Sequence, residues 1–304
     1  MLSRVVENIY WMSRYMERTN ISLKSLKTCY IAFQDGFPVF SWEQVANQFG
    51  IEDASELSNY EILYKLIFDS ENDYSFLNNV FRARENARSA QDHINRELWQ
   101  SLNDLYHLIK SDYLQSQLEI DPIYVFDKLI KETMLYYGVI NNSLNRGEAF
   151  IFLNIGKLTE RGLQIIEMLK TQLKITNYDS IENEDQSWRY LLIALNGYDS
   201  FISEYVGVFD PEMVLKQIIY KENYPFSLLY TLKEIDDFSE MMSMEGLNLD
   251  NKDLEYIIGK SYAFVRYNTI DTTYANRINF LHQVEANYHD ITNVLNINYF
   301  GKSS

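Results

Sequence analysis

Residues 1–33 read MLSRVVENIYWMSRYMERTNISLKSLKTCYIAF, and this stretch decides the fold class. Leu2, Val5, Val6, Ile9, Met12, Met16 and Leu23 recur at the spacing that places side chains on one face of a helix turning about 100° per residue. A second face carries Arg4, Glu7, Trp11, Arg14 and Arg18, three and four apart. The helix is expected to end before Asp35-Gly36-Phe37-Pro38, a cluster of helix breakers.

Helical signals continue outward from this stretch. A short helix is expected over 42–49. Another starts near Asp53-Ala54-Ser55-Glu56, which resembles a capping box. Residues 73–114 contain neither Pro nor Gly and read as one long helix. Asp121-Pro122 and Asp210-Pro211 each place an N-capping carboxylate before a proline at the first helical position. The first opens a helix that runs on to about 141, with another expected over 146–173, and the second repeats the start signal. Tyr224-Pro225 interrupts the chain before 226–242, and the last two helices fall over 250–268 and 272–298. No stretch alternates convincingly with the period of a strand. The expected class is all-α, a bundle of long helices with an internal pseudo-repeat and no significant sheet. We read 1–304 as a single helical domain, with the acidic link near 177–185 as the candidate internal boundary.

The bulk numbers fit a globular protein. Of 304 residues 46% are hydrophobic and 23% charged, which excludes disordered or low-complexity classes. A formal charge of −16 argues against general nucleic-acid binding, because phosphate repels an acidic surface. The single Cys29 and a charged N-terminus unlike a secretory leader suggest a reducing cytoplasm. No apolar run approaches the roughly 18 residues that span a bilayer.

Chemistry concentrates in three charged clusters. The first is Ser13-Arg14-Tyr15-Met16-Glu17-Arg18. An offset of 143 residues, from 13 to 156, brings Gly156-Lys157-Leu158-Thr159-Glu160-Arg161 into register with it. Both copies follow an aromatic, apolar run. Trp11 amid the charged face suggests that something covers that face. The alternative is a solvated face laced with ion pairs, each contributing only about 0.2–0.5 kcal/mol. The second cluster is Arg82-Ala83-Arg84-Glu85-Asn86-Ala87-Arg88, continuing through Asp92 to Arg96 and Trp99. Arg84, Arg88, Asp92 and Arg96 are four apart and would share one helical stripe. Guanidinium forks bind carboxylates and phosphates bidentately. The same arginines can instead pair internally with Glu7, Glu17 or Glu160. The third cluster is the second Glu-Arg copy together with Arg146 and Glu148.

Other chemistries lack their signatures. His93, His107, His282 and His289 show no metal-ligand spacing, and one cysteine excludes a cysteine-rich zinc site. The Glu-x-x-His element of di-iron bundles is missing. Phosphate-binding glycine loops and the Gly-x-Ser-x-Gly elbow are absent too. The candidate catalytic carboxylates are Glu17, Glu85 and Glu160. The candidate ligand-binding residues are Arg4, Glu7, Trp11, Arg14, Arg18, Arg84, Asn86, Arg88, Asp92 and Arg161. No metal site is expected.

The opening Met1-Leu2-Ser3-Arg4, Glu7-Asn8, Trp11, Arg14-Tyr15 and Glu17-Arg18 resembles that of the bacterial Alpha-E domain proteins, a family of unknown function. The likeness continues through Ala83-Arg84-Glu85-Asn86-Ala87-Arg88, Asp92, Glu97-Leu98-Trp99, Glu160-Arg161, Trp188, Pro211 and Tyr299-Phe300, nearly the whole chain. Lys157 departs from the usual arginine, and Thr19 and Gly162 from the usual alanine after Glu-Arg. The resemblance implies a helical protein encoded or fused beside a circularly permuted ATP-grasp protein, often with a transglutaminase-like protease. It also implies a role in ATP-dependent amide or peptide bond formation. No cofactor is then expected in this chain, since ATP and Mg²⁺ would belong to the ATP-grasp partner. The leading expectation is a non-catalytic partner subunit of an amide ligase that holds an anionic substrate or intermediate. The alternatives are a stand-alone enzyme using Glu17 or Glu85 as general base, and a helical interaction protein with no ligand.

Overall fold

The computed structural model describes residues 1–37, 42–48, 51, 54–178, 184–206, 208–244, 252–270 and 273–301. Among these the chain forms fourteen α-helices, two short 3-10 turns and no strand. In chain order the helices are α1 Ser3–Gln34, α2 Trp42–Gln48, α3 Asn59–Ile67, α4 Phe76–Ser89, α5 Arg96–Ile109, α6 Asp112–Ile120 and α7 Pro122–Ser143. There follow α8 Glu148–Tyr178, α9 Glu184–Ala194, α10 Tyr198–Glu204, α11 Pro211–Tyr220, α12 Leu228–Met244, α13 Lys252–Tyr267 and α14 Tyr274–Asn298. The chain is all-α, as its periodicity indicates.

The two Asp-Pro starts behave as read. Asp121 Oδ1 accepts from the Tyr124 N–H at 3.0 Å, and Asp210 Oδ1 from the Glu212 N–H at 3.0 Å. The span 73–114 is not one helix. It divides into α4, a 3-10 turn at Gln91–His93, α5 and the start of α6. Side chains make the divisions: Asn95 Oδ1 caps the Leu98 N–H at 3.0 Å, and Ser111 Oγ caps the Leu114 N–H at 3.3 Å. Asn and Ser that bind the backbone can start a new helix without any Pro or Gly to end the last one. The capping box opening α3 is Ser58 with Glu61, whose Oε2 accepts from the Ser58 N–H at 2.8 Å. Asp53 of the expected box lies outside the described residues, as do Pro38 and much of 177–185.

The chain splits into two compact units, an N-terminal unit of Trp11–Asn145 and a C-terminal unit joining Met1–Tyr10 to Arg146–Ser304. In the N-terminal unit α7 runs antiparallel to α1. The pairs Glu17 with Tyr137, Asn20 with Thr133, Lys27 with Asp127 and Tyr30 with Phe126 show it, since one number falls as the other rises. Helix α5 packs on both α4 and α7, burying Leu98, Leu102, Leu105 and Ile109. That i, i+4, i+7 and i+11 spacing is the apolar stripe of a surface helix.

In the C-terminal unit α8 packs on α12, α12 on α13, α13 on α14 and α14 back on α8, which closes a four-helix ring. Its core includes Ile155, Ile166, Leu232, Ile235, Ile258, Val265, Val284 and Ile291. Tyr10 packs within this unit, its ring 5.2 Å from that of Phe300 and its hydroxyl 3.2 Å from Thr292 Oγ1.

Candidate functional site

The first Glu-Arg copy sits in the N-terminal unit, where α1 and α7 run side by side. Its charged side is partly buried. Arg14 is only 7% exposed and Glu17 is 0% exposed, while Met12 and Met16 on the apolar side are also fully buried. Arg14 lies over the Trp11 ring at 4.7 Å and Arg18 over the Tyr15 ring at 5.6 Å. The Tyr137 hydroxyl donates to Glu17 Oε2 at 2.5 Å. Its neighbour Tyr136 is fully buried and its hydroxyl has no hydrogen-bond partner among the described residues. Burial, reinforced by the Glu17 carboxylate, pushes the Tyr136 phenol far above its ordinary pKa. Arg14 and Glu17 are thus structural anchors as well as candidate ligands, and Trp11 is a stacking surface for its own helix.

The second cluster, also in the N-terminal unit, is built on α4 and α5. Arg84 Nε donates to Asn103 Oδ1 at 2.9 Å, and one terminal nitrogen reaches Glu85 Oε1 at 3.1 Å. The guanidinium lies 4.8 Å from the Tyr106 ring and 5.4 Å from that of Trp99. Arg88 meets the other oxygen of Glu85 at 3.7 Å. The carboxylate these arginines share therefore comes from their own helix, in place of the more distant partners that the sequence allows. Arg84 is held with its side chain 21% exposed, whereas the Arg88 side chain is 67% exposed. Asn86 is half-buried on the same helix. Asp92 and Arg96 do not continue the Arg84–Arg88 stripe. α4 ends at Ser89, and Asp92 is exposed on the following 3-10 turn.

The second Glu-Arg copy lies on α8 in the C-terminal unit. Glu160 is 1% exposed and its Oε1 accepts from the Gln164 amide at 3.0 Å. Arg161 donates to the Pro225 carbonyl at 3.1 Å and covers the Phe226 ring at 4.5 Å. Lys157, at the position of Arg14, donates to Asn154 Oδ1 of its own helix at 2.7 Å. Gly156, at the position of Ser13, has a packing reason. A Cβ there would meet the Tyr10 carbonyl oxygen at 2.5 Å, so only glycine lets these backbones approach. At the start of α1, in this same unit, Arg4 is exposed and Glu7 half-buried. The N-terminal ammonium donates to Glu148 Oε2 at 2.6 Å.

No group of three or more His, Cys, Asp or Glu side chains capable of holding a metal occurs among the described residues. No helix among them is long and apolar enough to cross a membrane.

A family profile described as "a predicted alpha-helical domain with a conserved ER motif" matches residues 1–300. The chain belongs to the Alpha-E family. Similar curated proteins are uncharacterized proteins of Mycobacterium bovis and Mycobacterium tuberculosis, each 21% identical over 261 residues. Those alignments cover 76% of this Alpha-E chain and 29% of each relative, so the chain spans under a third of the curated relatives' length. No solved structure matches.

The family description names an ER motif, and this Alpha-E chain contains Glu-Arg twice. At each copy the glutamate is buried against a hydrogen-bond donor and the arginine lies over an aromatic ring. The sequence did not single out the residues that complete these arrangements, namely Tyr136, Tyr137, Asn103, Tyr106, Gln164 and Phe226. For Asn103 and Tyr106 a signal existed, because with Trp99 they fall at i, i+4 and i+7 on α5. Tyr137 lies 120 residues from Glu17, and no local pattern joins them.

Proposed function

We propose that this Alpha-E chain is a partner subunit of an ATP-grasp-type amide ligase and that it holds an anionic substrate or intermediate with the Arg84–Glu85–Arg88 cluster. The supporting observation is the state of that cluster. One guanidinium is fixed by Asn103, Glu85 and two aromatic rings, and beside it the largely exposed Arg88 is tethered only at 3.7 Å. A fixed cation next to a free-swinging one suits a carboxylate or acyl phosphate, which takes charge-assisted hydrogen bonds from both. Amide formation through an acyl phosphate passes through such anions. The link to an ATP-grasp protein, with ATP and Mg²⁺ on that partner, comes from the family resemblance, and a cytoplasmic setting goes with it.

The rival reading, in which Glu17 or Glu85 is a general base, has less to support it. Glu17 is fully buried and already accepts from Tyr137. Glu85 already has one oxygen engaged by Arg84 at 3.1 Å, which leaves less of the carboxylate for a proton from substrate. The test is amide formation by the permuted ATP-grasp protein of the same genome, with and without this chain. Arg88→Ala and Arg84→Ala are expected to abolish the chain's contribution while helical content is unchanged. Normal product with both variants would overturn the proposal.

A further inference from the structure

A cavity of about 380 Å³ opens in the C-terminal unit beside the second Glu-Arg copy. It lies within the range of small-molecule sites, roughly 300–1,000 Å³. Its walls are the corner between α9 and α10, the end of α11 and the loop that follows α11. That loop is braced from outside the cavity, because Arg161 holds the Pro225 carbonyl and covers Phe226. Tyr224 ties it to the opposite wall by donating to the Leu195 carbonyl at 2.7 Å.

Three side-chain amides line this space: Asn196, Gln217 and Asn223. Gln217 is 3% exposed. Its Nε2 donates to the Gly197 carbonyl at 3.3 Å, while among the described residues its Oε1 takes no hydrogen bond. The side-chain amides of Asn196 and Asn223 also make no hydrogen bond among the described residues, and both are exposed. The fold leaves this acceptor to water in the cavity or to a ligand's donor. At the rim Lys221 pairs with Glu204, one charge of each sign.

We propose that this cavity binds a ligand carrying a peptide-type amide, a short peptide or amino-acid amide. Its N–H is donated to Gln217 Oε1 and its carbonyl accepts from the Asn196 and Asn223 amides. A carboxamide offers both donor and acceptor, which is what a peptide group requires. The lining has no unbalanced charge, so it suits a neutral amide or a zwitterion better than a phosphate. For a free dipeptide, the half-exposed Lys221 and exposed Glu204 can exchange each other for the ligand's termini at small cost. The inference does not rest on the ligase reading, since it concerns a different unit and needs no partner.

The test is an NMR titration of the full chain, following the side-chain amide signals of Asn196, Gln217 and Asn223. The probes are N-acetylalaninamide and alanylalanine, with acetate and glycerol as controls. Saturable shifts are expected at those amides with both amide probes and not with the controls. Asn223→Ala, at an exposed turn, should weaken binding about fivefold without altering the fold. Asn196→Gly keeps the left-handed backbone at φ 53° while removing the amide, and should do the same. Absence of saturable shifts with both amide probes would overturn the proposal, as would equal binding of glycerol or affinity unchanged in both variants.

Discussion

At the first Glu-Arg copy the buried carboxylate of Glu17 meets a tyrosine from another helix. At the second, Glu160 meets Gln164 four residues along its own helix. The basic residue three places earlier meets a residue of its own helix in both copies, a ring in one and an amide in the other. Arg14 is buried over Trp11, whereas Lys157 turns back to Asn154. The small residue differs: Gly156 is required by a backbone approach, while the Ser13 hydroxyl is buried without a hydrogen-bond partner among the described residues. What stays constant is a buried glutamate followed by an arginine laid over a ring. The comparison teaches that the Glu-Arg pair is first a packing device, which locks a helix by burying one charge and stacking the next. The first copy carries tertiary information through Tyr137, and the second braces a loop through Arg161.

This contrast can be broken by substitution. The largest effect is expected at the first copy. Tyr137→Phe removes a donor to a buried carboxylate and should cost about 1.5–3 kcal/mol in denaturant unfolding. Tyr136→Phe, one residue away, removes a hydroxyl with no hydrogen-bond partner among the described residues and should be close to neutral. Equal losses in the two variants would contradict the assignment of Tyr137 as the specific partner.

Next come the small residues. Gly156→Ala forces a Cβ into the Tyr10 carbonyl and should destabilise by about 1–3 kcal/mol, whereas Ser13→Ala should leave stability unchanged or slightly raised. A stable Gly156→Ala would show that the close approach is not needed. Gln164→Ala takes one neutral donor from Glu160 and should cost about 0.5–1.5 kcal/mol, less than Tyr137→Phe. Thermal unfolding of the pair ranks them directly. A small stability effect is also expected for Arg88→Ala, within about 0.5 kcal/mol, because the side chain is mostly exposed. A larger loss would move Arg88 from ligand binding to structure.

The fold was legible because its signals are local. The apolar stripe of α1, the Asp-Pro starts of α7 and α11 and the absence of strand alternation each act within a few residues. The 73–114 span was misread because Asn95 and Ser111 break helices by hydrogen-bonding the backbone, and such residues look the same in the middle of a helix as at a cap. The site was only half legible. Trp11 among charges pointed to a covered face; of that face Arg14 is buried, whereas Arg4 is exposed. The stripe through Asp92 failed because it assumed that α4 continued past Ser89. Tyr137, Gln217 and the cavity beside Arg161 depend on tertiary packing, which residue spacing does not encode.

We propose that the Arg84–Arg88 cluster serves a ligase partner rather than the fold. This proposal is tested most directly by binding and amide formation with the purified permuted ATP-grasp protein of the same genome, comparing the wild-type chain with Arg88→Ala. The expected result is a complex at micromolar concentration, amide product that depends on the chain, and loss of that product in a variant of unchanged stability. Clean separation of the two proteins with product unaffected by this chain would contradict it.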